Sequence, residues 1–295
     1  MQELINTLDM KNKLLFGYVI ILILWSCDKI DKPRENTANL VGVNYIEKDN
    51  YAVAGFNKVV LEDYTGHTCG NCPRAAEKAE ELKNLYKDSL IIIAVHAGSF
   101  ANPTPTYPND YRTSVGTDWD NFFGVSAAGL PKGLINRNGY PTNSHILSYT
   151  QWASKIPVLL RTSPKAILKL KTQYDTVNRV LNVIHNIKFL QALPNDIYLN
   201  TVIVEDSVIG KQKDYSVYPD KIDNYVFHYM LRGSLNGSWG NVLKTTPINA
   251  NDSVSKSING FYVSPLFKDK QLYVISFIYD NVTKEIIQSA QVKIR

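Results

Sequence analysis

Residues 67 to 76, HTCGNCPRAA, place two cysteines two positions apart, directly before a proline and a run of good helix formers. Three chemistries are open to such a pair: a reversible thiol–disulfide couple, a structural crosslink, or half of a metal site. A thiol attacks a disulfide only as the thiolate, so a redox pair needs negative charge stabilised on one sulfur that a partner can reach. A helix N-terminus supplies this through unpaired N–H groups and the positive end of the macrodipole. Pro73 suits the first turn, where its missing N–H removes no hydrogen bond. Cys69, at or just before that start, is the candidate nucleophile, and Cys72, one turn inward and less exposed, the candidate resolving thiol. A disulfide that only stiffens the helix start is the plain alternative. Zinc would need two further ligands, with no cysteine left to supply them, so neither metal nor cofactor is expected.

Five histidines add little. His185 shares a strand face with Leu181, Val183, Ile187 and Phe189 and reads as a satisfied core residue, as does His228 in YVFHYML. His96 follows an apolar run and can sit near the cysteines. His67, two residues before Cys69, would stabilise a thiolate if protonated.

The elements that position the pair follow from periodicity. Lys58 to Tyr64 reads as a strand, Pro73 to Tyr86 as a helix by composition, with Ala75, Ala76, Ala79, Leu82 and Leu85, and Leu90 to Gly98 as a strand buried on both faces. Together they predict a βαβ unit. Residues 99 to 116, rich in Pro, Asn, Thr and Tyr, form an irregular insertion that could edge a substrate site. A short helix over Thr117 to Phe123 is capped by Thr117. A strand follows at Leu134 and Ile135, then a turn at Asn138-Gly139, then a helix from about Leu147 to Leu160 that Pro157 shortens or bends. Beyond Pro164 the period becomes two. Candidate strands are Ala166–Thr172, Val180–Leu190, Ile197–Val204, Tyr225–Leu235, Ser257–Val263, Leu272–Tyr279 and Glu285–Ile294, which argues for an antiparallel immunoglobulin-like sandwich.

At 295 residues with 44% hydrophobic side chains, the chain can build two ordinary cores. A formal charge of +5 without a long block of one sign gives no footprint for nucleic acid. Lys11 and Lys13 precede an apolar run, Leu14 to Trp25, that is too short to span a bilayer comfortably and stops at Cys27. Leu24 to Cys27, LWSC, resembles a bacterial lipobox, which implies cleavage before Cys27 and lipid attached to it. The expected division is a signal peptide over 1–26, a polar tether over 27–47, an α/β domain over 48–162 and a β-sandwich over 163–295. Of three cysteines, Cys27 is then committed to lipid, and Cys69 and Cys72 remain for each other in an oxidising compartment.

The strand, C-x-x-C, helix and buried strand, with a Gly-x-Pro before a later strand, resemble the thioredoxin fold. Within that resemblance Pro131 of AGLPKG matches the cis-proline that faces the cysteines. Asp63, six residues before Cys69, matches the buried carboxylate that assists proton transfer to the resolving thiol. Glu62 is its neighbouring alternative, since strand alternation sends only one of the two inward. Thr68, Gly70-Asn71 and Pro73 depart from the thioredoxin pattern around the cysteines.

Lipobox, EDYTGHTCGNCPRA, GLPKGLINR and LRGSLNGSWG together resemble the Bacteroidetes outer-membrane lipoprotein family of the twenty-eight-kilodalton type. That resemblance implies a thioredoxin-like domain followed by a β-sandwich, lipid-anchored at the outer membrane on its periplasmic or surface face. Triplets beginning at Asp88, Asp175, Asp206 and Asp252 are similar to an O-glycosylation acceptor of such bacteria, but each taken singly reads as an ordinary turn. Two functions follow: thiol–disulfide exchange on exported proteins, or a non-catalytic surface binding or adhesion lipoprotein with a structural disulfide.

Overall fold

The computed structural model of the chain describes residues 45–50 and 56–295, so the expected signal peptide and Cys27 lie outside the described residues. Chain order begins β1 (Tyr45–Asn50), β2 (Val59–Thr65), α1 (Cys72–Tyr86), β3 (Leu90–His96), α2 (Ser114–Phe123), β4 (Lys132–Ile135) and α3 (Tyr149–Leu160). It continues through β5 (Ala166–Asp175), β6 (Val180–Phe189), β7 (Ile197–Glu205), β8 (Val208–Lys213) and β9 (Lys221–Phe227). The last strands are β10 (Met230–Ser234), β11 (Asn241–Lys244), β12 (Ser253–Tyr262), β13 (Leu272–Asp280) and β14 (Ile286–Lys293).

β2 and β3 are parallel, joined by α1, and β4 runs antiparallel to the other edge of β2. β10 then adds to β3 in parallel at Met230 and Ala94 and passes antiparallel to β7, which pairs with β13, which pairs with β14. The sheet thus runs without a break in the order β14-β13-β7-β10-β3-β2-β4, with β11 on β7. Its ends approach each other: Ile286 N–H donates to Asn136 O at 2.9 Å, and Asn136 Oδ1 accepts from Val60 N–H at 2.7 Å. A second sheet, β1-β5-β6-β12, and a separate hairpin, β8-β9, complete the described strands. The architecture is mixed α/β with a large β-rich C-terminal part.

The three larger apolar clusters among the described residues follow from strand alternation. Val59 and Leu61 of β2 face Ala75, Ala79 and Leu82 of α1 and Trp152 and Ile156 of α3. Val60 and Tyr64 face the opposite side, where Trp119 and Phe123 of α2 meet Val202, Val204, Ile275 and Phe277. The other face of β7 and β13 packs through Ile203, Val274 and Ile278 against Leu168, Leu170, Leu181 and Val183 of the second sheet. Each such fully buried side chain contributes about 1.5–3 kcal/mol, and β7 and β13 spend both faces this way.

Several elements differ from the sequence reading. α2 begins at Ser114, and its cap is Thr113, not Thr117: Thr113 Oγ1 accepts from Gly116 N–H at 3.0 Å. The earlier start lets Val115 as well as Trp119 face the core. α3 runs unshortened through Pro157 to Leu160, beginning at a capping box of Ser148 and Gln151. The expected strand Tyr225–Leu235 is two strands, because the chain turns at His228-Tyr229, where Tyr229 has φ +52°. β1, β8 and β11 were not expected as strands.

Candidate functional site

β2 delivers the chain at Thr65 to a tight loop. Gly66 lies against backbone, since a Cβ there would stand 2.4 Å from the Phe100 carbonyl carbon. Thr68 N–H donates to Phe100 O at 3.1 Å, Cys69 N–H to Gly66 O at 3.0 Å and Cys72 N–H to Cys69 O at 3.2 Å. Cys69 and Cys72 form a disulfide across this turn, with Cα atoms 5.4 Å apart. Cys72 is the first residue of α1, Asn71 makes no side-chain cap, and no acidic side chain occupies the first turn. The positive end of α1 therefore faces the sulfurs uncompensated.

Reach is where expectation fails. Cys69 is 3% exposed and Cys72 2%, so the nucleophile is no more accessible than the resolving thiol. The roof is the β8–β9 hairpin. Lys213 N–H donates to His67 O at 2.8 Å and Tyr215 N–H to Gly70 O at 2.9 Å. Gln212 Nε2 donates to Cys69 O at 3.0 Å and to Lys213 O at 2.7 Å. The Tyr215 ring rests on Gly70, where an added Cβ would meet its carbons at 2.7 Å.

Alternation decides between the two acidic candidates. Glu62 shares the face of Val60 and Tyr64 and pairs with Arg137, Nη2 to Oε1 2.6 Å, both side chains fully buried. Asp63 shares the face of Val59 and Leu61, toward α1. It is 3% exposed, and its Oδ1 has no hydrogen-bond partner among the described residues. Burial raises its pKa to about 7. A cavity of about 420 Å³ is lined by both Asp63 and Cys72. Pro131 follows a cis peptide bond and precedes Lys132, which is in register with Tyr64. It therefore sits beside the end of β2 from which the cysteine loop departs.

A family model described as "Outer membrane protein Omp28" matches residues 118–295. The chain belongs to the Omp28 family. The matched segment contains Pro131 and the roof hairpin, whereas Asp63, Cys69 and Cys72 precede it. Membership in this family sets the chain at the outer membrane, and among the described residues no helix is long and apolar enough to cross a membrane.

Among solved structures, HBP35 of Porphyromonas gingivalis is 20% identical with a TM-score of 0.59, covering 81% of this Omp28-family chain and 76% of its own. That likeness is one of fold. A protein from Agrobacterium tumefaciens is 11% identical with a TM-score of 0.49, covering 83% and 96%. A domain of the outer membrane lipoprotein Omp28 from Porphyromonas gingivalis is 18% identical with a TM-score of 0.30, covering 45% and 89%. No curated protein matches the chain.

The histidines of this Omp28-family chain divide differently from expectation. His67 is buried, and burial lowers its pKa, which the Tyr107 backbone offsets only in part. It is a neutral ring packed edge-on to Tyr111 at 5.4 Å and does not supply a cation to Cys69. His96 is also buried, its pKa driven down to about 3 by burial, with His67 and Arg232 acting in the same direction. His185 is the satisfied core residue expected, with Nε2 2.9 Å from Ser276 Oγ and Nδ1 3.2 Å from Lys256 O. His228 is not a core residue. It lies half-buried between β9 and β10, and its Nδ1 is 2.8 Å from Asp206 Oδ1, which raises its pKa. Gln212 and Tyr215 were missed by sequence reasoning. Their partners in the loop are the backbone carbonyls of Cys69 and Gly70, which leave no side-chain signature.

Proposed function

We propose that the chain is a lipid-anchored outer-membrane protein whose Cys69–Cys72 couple exchanges disulfides with exported proteins. Cys27 carries the acyl chains that hold it to the membrane. The parallel β2–α1–β3 unit, the antiparallel β4 behind Pro131 and the cysteines at the start of α1 support a thioredoxin-like reading of residues 48–162. The packing of β7 and β13 against β5 and β6, all beyond residue 163, supports an immunoglobulin-like sandwich.

From the oxidised form, a client thiolate attacks Sγ of Cys69. The Cys69–Cys72 bond breaks, its electron pair passes to Sγ of Cys72, and protonated Asp63 supplies the proton. The client's second thiolate then attacks the client sulfur of the mixed disulfide, and Cys69 leaves as a thiolate at the start of α1. The client is oxidised and the pair reduced. The reverse sequence reduces a client disulfide.

Asp63 carries this reading. It is a carboxyl group 3% exposed, lacking a partner on Oδ1 among the described residues and sharing a cavity with the resolving cysteine. An inert crosslink gains nothing from such a group, whose desolvation works against the fold. The burial of both sulfurs favours the second reading, a structural crosslink in a non-catalytic binding lipoprotein, and it requires that exchange be preceded by displacement of the β8–β9 hairpin. The two are separated by equilibrating the protein in thiol redox buffers and trapping free cysteines by alkylation. Exchange requires a reduction potential above about −300 mV and an Asp63→Asn chain slowed about tenfold or more near neutral pH. A potential well below that value, with a Cys69→Ala chain as active as the parent toward protein disulfides, overturns it. Cys27→Ala should release the protein from the membrane fraction.

A further inference from the structure

The cavity beside Cys72 is larger than a proton relay needs. At about 420 Å³ it falls in the range of small-molecule sites. Tyr225, Phe227 and Tyr229 wall one side, with Tyr225 and Phe227 edge to face at 4.8 Å between ring centroids. Three carboxylates also line it, among mostly apolar and neutral groups: Asp63 is fully enclosed, Glu80 half-buried, and Glu77 exposed where the cavity meets solvent. Among the described residues no lysine or arginine lines it.

Two unsatisfied acceptors mark the interior. Asp63 Oδ1 and Glu80 Oε1 are both buried from solvent and without a hydrogen-bond partner among the described residues, although the Glu80 carboxylate as a whole also interacts with the Tyr229 phenol. The charged groups acting on the Tyr225 phenol have one sign. After burial, the influences holding the Tyr225 phenol above its usual pKa are Asp63, Glu77, Asp214 and Glu80, all negative. Of the histidines on the wall, His96 is neutral and His228 is already committed to Asp206.

We infer that this cavity binds a small organic monocation, an ammonium or amidinium group on an apolar or aromatic body, with the charge at Asp63 and Glu80 and the body against Tyr225, Phe227 and Tyr229. Buried acceptors that lack donors are satisfied by N–H groups, a cation offsets the carboxylates, and aromatic faces favour both cation and apolar body. The site stands apart from the exchange reading, because it is complete in the oxidised protein and binding is measured there.

The fold holds a proton on Asp63 up to about pH 7, and a bound cation favours the ionised form, so binding just below that pH should expel it. Glu77 and Glu80 from α1, His96 from β3, and Tyr225, His228 and Tyr229 from the hairpin side are the titratable groups around it.

The test is calorimetric titration of the oxidised full chain with benzylamine, benzyl alcohol and benzoate, at about pH 6.5 in buffers of different ionisation enthalpy. Benzylamine should bind about tenfold or more tightly than the neutral alcohol and release a substantial fraction of one proton, and benzoate should not bind. Asp63→Asn should abolish proton release, and Glu80→Gln should weaken the amine several-fold while leaving the alcohol unchanged. An Nα-acetyl-lysine amide presents the same charge on a peptide side chain. Its affinity relative to benzylamine distinguishes a client lysine from a free amine as the occupant. Equal affinity for amine and alcohol, amine binding without proton release, or no amine binding at millimolar concentration would each overturn the inference. None of these outcomes bears on whether Cys69 and Cys72 exchange.

Discussion

Tyr215 lies across Gly70, tied to it by a 2.9 Å hydrogen bond from its N–H to the glycyl carbonyl and by a ring packed where a Cβ would have to go. A residue 145 positions later in the chain thereby closes the turn between the two cysteines. The closure sets a hierarchy of access. The sulfurs are shielded by a two-stranded hairpin whose pairing is separate from the larger sheets, and two-stranded ribbons have little stability of their own.

That hierarchy predicts how the disulfide responds to a change in the roof. Gly70→Ala should force the Tyr215 ring aside, and Tyr215→Ala should remove it while keeping the backbone bond. Both should speed reduction of Cys69–Cys72 by dithiothreitol, by about three- to tenfold if opening costs about 1 kcal/mol less. Time-resolved alkylation and mass measurement give the rates. Unchanged rates in both variants would mean that reagents reach the sulfurs by a route other than the roof.

Asp63 predicts a stability difference with a definite sign. Its pKa is about 7 in the fold and about 3.9 in the unfolded chain. The unfolded chain therefore loses this proton first, and stability falls as pH rises from about 4 to about 7, then levels. Asp63→Asn removes the dependence. Urea unfolding of the oxidised proteins should show the variant close to the parent near about pH 4 and more stable above about pH 7, by on the order of 4 kcal/mol. A difference that does not change with pH would show that the fold accepts the ionised carboxylate without cost.

Much of this arrangement is legible in the sequence because it is local. C-x-x-C followed by proline and helix formers places the pair at the start of α1, and alternation along VVLEDYT sends Glu62 and Asp63 to opposite faces. The short, β-branched apolar run LIIIAVH suits a strand covered on both sides, and it is one. The roof is different in kind. YVFHYML reads as one continuous strand, yet its halves belong to different sheets, because period-two patterning records which face is buried and not which neighbour is paired. β8 carries Gly, Lys and Gln with little apolar alternation, and it joins the cysteine loop through the Lys213 main chain and the Gln212 side-chain amide, both meeting carbonyl groups that any residue of the loop would present. The cost of overlooking it was the expectation that Cys69 is exposed.

His96 gives a prediction of opposite sign. Its ring stands 5.2 Å from Tyr111 and 5.3 Å from Phe227, and neither nitrogen has a hydrogen-bond partner among the described residues. Its pKa is about 3 in the fold against about 6.5 unfolded. The unfolded chain gains this proton first, so the stability present above about pH 6.5 is lost as pH falls toward about 3. His96→Phe keeps an aromatic ring in the cluster and cannot charge. The variant should resist acid unfolding, gaining on the parent by on the order of 2 kcal/mol near about pH 5 and by little at about pH 8. An equal effect at both values would assign the change to packing alone.

The ion pair on the far face of β2 should be costly to break and less costly to replace. Arg137 is enclosed by the rings of Trp119, Phe123 and Phe277, with its guanidinium carbon 4.8, 5.0 and 5.1 Å from their centroids, and it meets Glu62 through Nε and Nη2. Arg137→Ala removes the counter-charge and leaves Glu62 buried beside a void, a loss of about 3–5 kcal/mol. Replacing both members, with Arg137→Met and Glu62→Gln, exchanges the pair for groups of similar length that carry no charge. Thermal unfolding should place that double variant well above Arg137→Ala, because much of the single variant's loss is the cost of one unpaired buried carboxylate. If the double variant unfolds no higher than the single one, the aromatic cage depends on the guanidinium itself, and its stacking, not its pairing, holds α2 against β13.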